Sequence, residues 1–198
     1  GVNLYYNGGT VLRCIIRGNR VGNGDAAGAV MGQNAVLANS LIADNKTGTS
    51  RGIAGGVRML HSTSRMLNCT VAGNINQTVT TGHGVAMSAG MITNCIVYGN
   101  GPDETRFTTN NLDVTGGVVA YTCSMPRPTG TGNLGADPRF MSPDAGDYHL
   151  RSPTPCRRAG VELAEFALDL DGVPRRSGHP YDLGCYTAGA HATLLLLH

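Results

Sequence analysis

Short apolar runs alternate with polar turns along much of the chain, and one such run recurs. Its clearest copy spans residues 94–100 (NCIVYGN), a strand-like segment that ends in a Gly-Asn turn. Related copies span 13–19, 39–45 and 68–74, and a weaker copy spans 122–125. Their second positions are 26, 29, 26 and 28 residues apart: Cys14, Ser40, Cys69, Cys95 and Cys123. A strand-based repeat of this length predicts a solenoid, with one coil per repeat.

A second element lies between the copies of the first. It is a glycine followed by three residues, and its copies begin 27, 28 and 28 residues apart, at Gly1, Gly28, Gly56 and Gly84. Each coil is therefore predicted to hold a Gly-led strand, a turn and a Cys-type strand. Loops of variable length follow, at 20–27, 46–54 and 75–81, as a solenoid allows.

Side chains alternate between the two faces of a strand, so equivalent positions of successive coils form columns. Two core columns are predicted from the Cys-type strand, and two more from the strands before it. Their members are medium-sized and leave no space for an internal ligand: Cys14/Ser40/Cys69/Cys95, Ile16/Ile42/Val71/Val97, Leu4/Met31/Met59/Met87 and Val11/Leu37/Met66/Ile92. A polar column at the turn is predicted to bond along the stack through amide side chains: Asn19, Asn45, Asn74 and Asn100.

Composition supports a fold of many short turns and divides the chain in two. The 198 residues include 29 glycines, no tryptophan and 5% aromatic residues, which disfavours a helical bundle. All nine prolines lie between Pro102 and Pro180, and the repeat fades near residue 125. We therefore predict solenoid coils over 1–125 and a C-terminal region without the repeat, followed by a tail, over 126–198. No signal peptide or membrane span is visible, the Leu194–Leu197 run is too short to cross a bilayer, and the chain is expected to begin inside a coil.

The repeat resembles the loosely repeated coils of right-handed parallel β-helix proteins in the pectin-lyase-like superfamily, of the secreted bacterial type. Motifs similar to those that follow the last coil in such proteins occur in order, at 132–140, 145–156, 169–175 and 182–186. The last motif departs from the family pattern, because Thr187 stands where a glutamate is typical. The resemblance implies an all-β, right-handed parallel β-helix of about five coils with an irregular C-terminal cap. It also implies an extracellular or cell-surface location and a cap that covers the last coil.

The six cysteines are predicted to be structural. The repeat cysteines lack the CxxC or histidine spacing of a zinc site, and free thiols pack well in a core. Cys156 and Cys185 lie within cap motifs, where either free thiols or a disulfide between them would fit; the disulfide would suit an oxidising compartment. No metal and no cofactor is predicted. The Asp169-x-Asp171-Gly172 segment is interpreted as a tight turn of the cap rather than a calcium loop.

Three basic residues are the candidate catalytic group: Arg58, His61 and His83. A polysaccharide lyase needs a cation that neutralises a uronate carboxylate and a base that removes the α-proton. His83 lies in a Gly-His-Gly segment that resembles a polygalacturonase motif, but the paired aspartates of those hydrolases are missing. The alternative is a solvated arginine and two turn histidines.

Charge gives the leading hypothesis for function. Residues 1–100 hold seven Lys/Arg against two Asp, whereas residues 101–198 hold eight against eleven Asp/Glu. A basic set of coils suits a module that binds or scaffolds an acidic polysaccharide without catalysis. The alternatives are a fragment of a polysaccharide lyase or glycoside hydrolase, and a structural solenoid that self-associates end to end into a fibre or stalk. A nucleic-acid partner is not expected, because no dense Lys/Arg stripe with aromatics occurs.

Overall fold

The fold was analysed in a computed structural model of the 198-residue chain. The structure describes residues 1–6, 8–22, 24–48, 52–78, 82–103 and 110–189. The Leu194–Leu197 run lies outside these residues.

Short strands form successive coils. The first coil holds β1 (Val2–Leu4), β2 (Gly9–Leu12), β3 (Ile15–Arg17) and β4 (Arg20–Val21). The second holds β5 (Ala29–Met31), β6 (Ala35–Ala38), β7 (Leu41–Ala43) and β8 (Lys46–Thr47). The third holds β9 (Val57–Met59), β10 (Arg65–Leu67), β11 (Thr70–Ala72) and β12 (Ile75–Asn76). The fourth holds β13 (Val85–Met87), β14 (Met91–Thr93) and β15 (Ile96–Tyr98), and the last holds β16 (Leu112–Val114), β17 (Val118–Ala120) and β18 (Cys123–Ser124).

Equivalent strands of neighbouring coils pair in parallel and build three sheets of five strands each. The first sheet has the order β1-β5-β9-β13-β16, the second β17-β14-β10-β6-β2 and the third β18-β15-β11-β7-β3. A smaller sheet joins β12, β8 and β4 at the variable corner. The predicted all-β parallel β-helix is confirmed. About four full turns connect the five strands of each sheet, slightly fewer than the count of about five that we expected.

The interior consists of the predicted columns. Met31, Met59 and Met87 are fully buried one above another in the first sheet, and Leu37, Met66 and Ile92 do the same in the second. Ile16, Ile42, Val71 and Val97 line the third. Cys14 is an exception, because it lies beside the edge strand β3, where a neighbouring coil covers one side only, and it is exposed.

The predicted asparagine column forms a continuous amide ladder. Asn19 Nδ2 donates to Asn45 Oδ1 at 2.8 Å, Asn45 Nδ2 to Asn74 Oδ1 at 2.9 Å, and Asn74 Nδ2 to Asn100 Oδ1 at 2.9 Å. The ladder continues to Asn111. Each rung also accepts a backbone N–H from the coil before it, so the ladder holds the corner turns in register.

The last coil differs by one residue from the predicted alignment. Cys123 pairs with Ile96 across β18 and β15, and not with Cys95. A shift of one residue turns a strand side chain to the opposite face, so Cys123 leaves the core column and points outward. The corner residue that precedes the third sheet sets this register, since it has positive φ in all five coils: Arg13, Asn39, Asn68, Asn94 and Tyr121.

The C-terminal region covers more than the last coil. Its first part closes the end of the solenoid, where Leu134 bridges to Cys123 and the Asn133 side chain accepts the backbone N–H of Thr122. The later part, which includes the antiparallel pair β19 (Phe140–Ser142) and β20 (Asp147–Leu150), lies along the outer face of the third sheet. It hydrogen-bonds to Asn39 and Asp44 in the second coil and lies beside the Arg13 and Arg17 side chains of the first.

Candidate functional site

Arg58 lies on the outward face of β9, between Val30 of β5 and Ala86 of β13. Its guanidinium forms an ion pair with the carboxylate of Asp25 at 2.6 Å, and its side chain is 24% exposed. An arginine whose charge is already paired with a carboxylate is a weak site for a uronate carboxylate.

His61 follows the C-terminal end of β9, the strand that carries Arg58, whereas His83 precedes the N-terminal end of the neighbouring strand β13. His61 follows β9 in a turn, where its Nδ1 is 3.0 Å from Thr63 Oγ1. His83 precedes β13 and stacks on the start of the third coil, since its carbonyl accepts the Gly55 N–H at 2.8 Å. The structure therefore does not bring the two histidines together around Arg58.

The surroundings of His83 favour a structural role. The residue is buried, and its Nδ1 lies 3.1 Å from the carbonyl oxygen of Asn76, to which the ring N–H donates. Burial lowers the pKa of His83, and this outweighs the hydrogen bond to Asn76 and the charge of Asp103, which both raise it. The imidazole is therefore neutral at neutral pH and helps to fix the corner between two coils.

A groove between the coils and the C-terminal region is the strongest candidate site, and we call it the cap groove. It encloses a cavity of about 290 Å³ and opens into a wider recess beside Met141 and Arg151. One wall comes from the corners of the third and fourth coils, and the other from the C-terminal region: Gly73, Tyr98 and Gly99, facing Asp137, Arg139, Phe140, Pro143, Asp144 and Tyr148.

Two glycines leave space for the cap groove on the side of the coils. Gly73 and Gly99 occupy one corner column with φ of 65° and 67°, a conformation that favours glycine. In the second coil Asp44 takes the same position, and its carboxylate accepts a hydrogen bond from the Tyr148 hydroxyl at 2.9 Å. The groove therefore exists beside the third and fourth coils and is bridged beside the second.

Backbone contacts fix the opposite wall. Arg139 has φ of 62°, and its N–H donates to Asp137 Oδ1 at 2.8 Å. Its Nη1 donates to the carbonyl of Pro153 at 2.9 Å, and Nη2 of Arg151 donates to the carbonyl of Met141 at 2.6 Å. Phe140 packs edge-on against Tyr148 with ring centroids 5.2 Å apart.

The groove combines groups suited to binding a polar, ring-shaped ligand. Tyr98 offers a phenol whose pKa is raised by burial and, to a smaller extent, by the charges of Asp137 and Cys123, so its hydroxyl stays protonated and can donate. Asp137 and Asp144 supply acceptors, and Arg139 and Arg151 supply fixed cations. Sequence reasoning missed this site, because its walls come from segments about 40 to 75 residues apart that meet only in the fold.

A second polar cluster in the C-terminal region is structural. His149 Nδ1 lies 2.6 Å from Asp147 Oδ1 and its Nε2 lies 2.9 Å from Asp171 Oδ2, while its ring stacks on Tyr186 at 3.9 Å. With both ring nitrogens bonded to carboxylates, His149 is poorly placed to act as a general base. Asp169 accepts the N–H groups of Val173 at 2.8 Å and Thr187 at 2.9 Å, so the Asp-x-Asp-Gly segment closes a turn as expected.

Cys156 and Cys185 are both free thiols, and no disulfide joins them in the structure. They lie in different apolar clusters. Cys185 packs with Leu41, Ala72 and Tyr186, whereas Cys156 packs with Cys123, Ile96 and Leu183. The neighbour of Cys156 is therefore Cys123, which the repeat pattern assigns to the core column.

Within the described ranges, no group of three or more His, Cys, Asp or Glu side chains is arranged to hold a metal ion. None of the helices in the same residues has the length and hydrophobicity needed to cross a membrane. Comparison with known proteins gave no matching family model, no matching curated protein and no matching solved structure.

Proposed function

We propose that the chain is a secreted or cell-surface β-helix module that binds an acidic polysaccharide in the cap groove. The observation that carries the proposal is the pairing of aromatic walls with fixed arginines in one groove. Tyr98 and Phe140 supply aromatic surface for sugar rings, and Arg139 and Arg151 supply donors for carboxylates.

The arginines suit a carboxylate because each is already oriented. A guanidinium has five N–H donors, and the hydrogen bonds to Pro153 and Met141 use one on each arginine. The remaining donors are oriented without further loss of side-chain entropy, which favours binding.

The groove supports this function better than the basic coils do. Arg17, Arg58 and Arg65 form ion pairs with Asp44, Asp25 and Glu165, so part of the positive charge that motivated the hypothesis is neutralised within the molecule. The guanidinium groups of the groove arginines are bonded to backbone carbonyls, while Asp137 and Asp144 in the same groove supply acceptors for sugar hydroxyls.

We also propose that the chain belongs to the pectin-lyase-like superfamily of β-helix proteins and is of the secreted bacterial type. The parallel coils and the ordered C-terminal motifs support this assignment. In the fold, residues of these motifs bind the C-terminal region to the coils. The Tyr148 hydroxyl donates to Asp44, and the Cys185 N–H donates to Thr70 Oγ1 at 3.1 Å.

Affinity electrophoresis on polygalacturonate, alginate and a neutral glucan tests the proposal. We expect retention on an acidic glycan that weakens as salt rises, because exposed charges are screened. Replacing both groove arginines, Arg139→Gln with Arg151→Gln, is expected to abolish retention. The matched control, Arg20→Gln, removes an exposed charge outside the groove and is expected to leave most of it.

Two results would overturn the proposal. One is no retention on any glycan, and the other is equal loss of retention in Arg20→Gln and in the groove variant. The same samples are assayed for new reducing ends and unsaturated uronate. Product formation would show that the chain is an enzyme and does more than bind the glycan. Mutagenesis would then begin with Asp137 and Asp144 in the groove, before Arg58, His61 and His83.

A further inference from the structure

Cys123 and Cys156 meet at the junction between the last coil and the C-terminal region. Cys123 points outward from β18 because its strand pairs one residue out of the predicted alignment. Both cysteines are fully buried in one apolar cluster with Ile96, Leu150 and Leu183.

The two thiols are neighbours in this cluster. The Cys123 thiol donates to the carbonyl of Ala136 at 3.1 Å, and it also interacts with the Cys156 thiol. The backbone of Cys156 is held on both sides, since its N–H donates to Thr154 Oγ1 at 3.1 Å and its carbonyl accepts the Leu183 N–H at 2.9 Å. The two thiols therefore lie in one buried cluster, one from the last coil and the other from the C-terminal region.

The other buried cysteines lack this geometry. The thiols of Cys69 and Cys95 also interact, but these residues take equivalent positions just before two adjacent parallel strands, so their side chains point the same way. Neighbouring strands lie about 4.8 Å apart, which is wider than the usual Cβ separation of a disulfide. Cys185 lies in a separate cluster beside Thr70.

We propose that Cys123 and Cys156 form a disulfide that fastens the C-terminal region to the last coil when the protein folds in an oxidising compartment. The inference is independent of the glycan-binding proposal. Because both thiols are buried once the junction closes, the bond forms during folding or when the C-terminal region opens.

The reaction is thiol–disulfide exchange with a small-molecule disulfide as oxidant. The Cys123 thiolate attacks the oxidant, forms a mixed disulfide and releases one thiolate. The Cys156 thiolate then attacks the Cys123 sulfur, which completes the protein disulfide and releases a second thiolate. The two cysteine protons pass to the released thiolates, so one oxidant molecule is reduced to two thiols.

Peptide mapping tests the bond directly on the wild-type chain. The protein is folded in a mixture of oxidised and reduced glutathione, free thiols are alkylated, and tryptic peptides are compared with and without reduction. We expect the peptide 152–157 to be linked to the peptide that carries Cys123. Both cysteines recovered in alkylated form from the oxidised protein, or a link from Cys156 to Cys185, would overturn the proposal.

Thermal melts give a second, independent readout. Oxidised wild-type protein is expected to melt roughly 5–10 °C above the reduced form, because the bond closes a loop of more than 30 residues. Cys156→Ser is expected to lose this redox-dependent difference, whereas Cys185→Ser, in the neighbouring cluster, is expected to keep it. Equal differences in both variants would contradict the proposal. If Cys156→Ser does not fold, Cys156→Ala takes its place, and the mapping result decides in either case.

Discussion

The Tyr148 hydroxyl donates a hydrogen bond to Asp44 Oδ1 at 2.9 Å, across 104 residues of sequence. The same carboxylate forms an ion pair with Arg17 Nη2 at 2.8 Å. Asp44 occupies the corner column in which Gly18, Gly73 and Gly99 lie in the neighbouring coils. The aspartate at this position, where the neighbouring coils have glycine, thus anchors the C-terminal region to the second coil and closes one end of the cap groove.

Tyr148→Phe is expected to destabilise the fold by about 1–2 kcal/mol, since a hydrogen bond to a charged group is lost while the ring packing remains. The free energy of unfolding in urea measures the effect. Tyr6→Phe is the matched control, because the Tyr6 side chain is 82% exposed, and no change is expected there. Equal stability of Tyr148→Phe and wild type would show that the anchor contributes nothing.

The asparagine ladder should be most sensitive in its middle. Asn74→Ala removes the acceptor of both the Asn45 backbone N–H and the Asn45 side-chain amide, and these groups stay buried. We expect a loss of about 3 kcal/mol or more, because each buried unsatisfied group costs about 1–3 kcal/mol. Asn19→Ala, at the partly exposed end of the ladder, is expected to cost about 1 kcal/mol or less. Urea unfolding compares the two, and similar losses would contradict a cooperative ladder.

The glycine that opens each Gly-led strand leaves no space for a side chain. A Cβ added to Gly56 would lie 2.6 Å from the Gly84 carbonyl oxygen and 2.6 Å from Val71 Cγ1. Gly56→Ala is therefore expected to destabilise by about 2 kcal/mol or more, because the coils must separate. At Gly22 an added Cβ meets no atom within 4 Å, so Gly22→Ala is expected to be neutral or slightly stabilising. Thermal melts that show equal effects at both positions would rule out this account of the repeat.

The coils can be predicted from the sequence because equivalent residues recur at a regular spacing. Equivalent residues stack at strand spacing, so a repeat of about 28 residues is enough to predict the methionine and aliphatic columns and the Asn45–Asn74 bond. The register of the last coil is not predictable from the cysteine alone. Thr122 is the true equivalent of Cys95, and the signal lies in the corner residue before it, Tyr121, which takes the place of Asn94.

The path of the C-terminal region is harder to predict, since it has no repeat. One signal is present in the third sheet, where the outward positions of the second to fourth coils are apolar or small except at Tyr98: Leu41, Ala43, Thr70, Ala72 and Ile96. A sheet that is apolar on both faces is covered on both faces. The Arg58–Asp25 pair and the cap groove have no comparable signal, because each depends on how segments that are distant in the sequence meet in the fold.

The His149 clamp, in which Asp147 and Asp171 hold the two ring nitrogens, predicts a pH dependence of stability with a definite sign. Burial lowers the pKa of His149, but the hydrogen bonds and charges of Asp171 and Asp147 outweigh it, so the folded-state pKa is raised above the ordinary value of 6.5. A raised folded-state pKa contributes stability that is fully present below about pH 6.5 and is lost as the pH rises through the folded-state value. We therefore expect the free energy of unfolding to fall between about pH 6 and pH 8.5 by more in wild type than in His149→Gln. His179→Gln, a histidine variant outside the clamp, should follow wild type. A pH profile of His149→Gln that parallels wild type over this window would mean that the clamp does not hold the protonated imidazole.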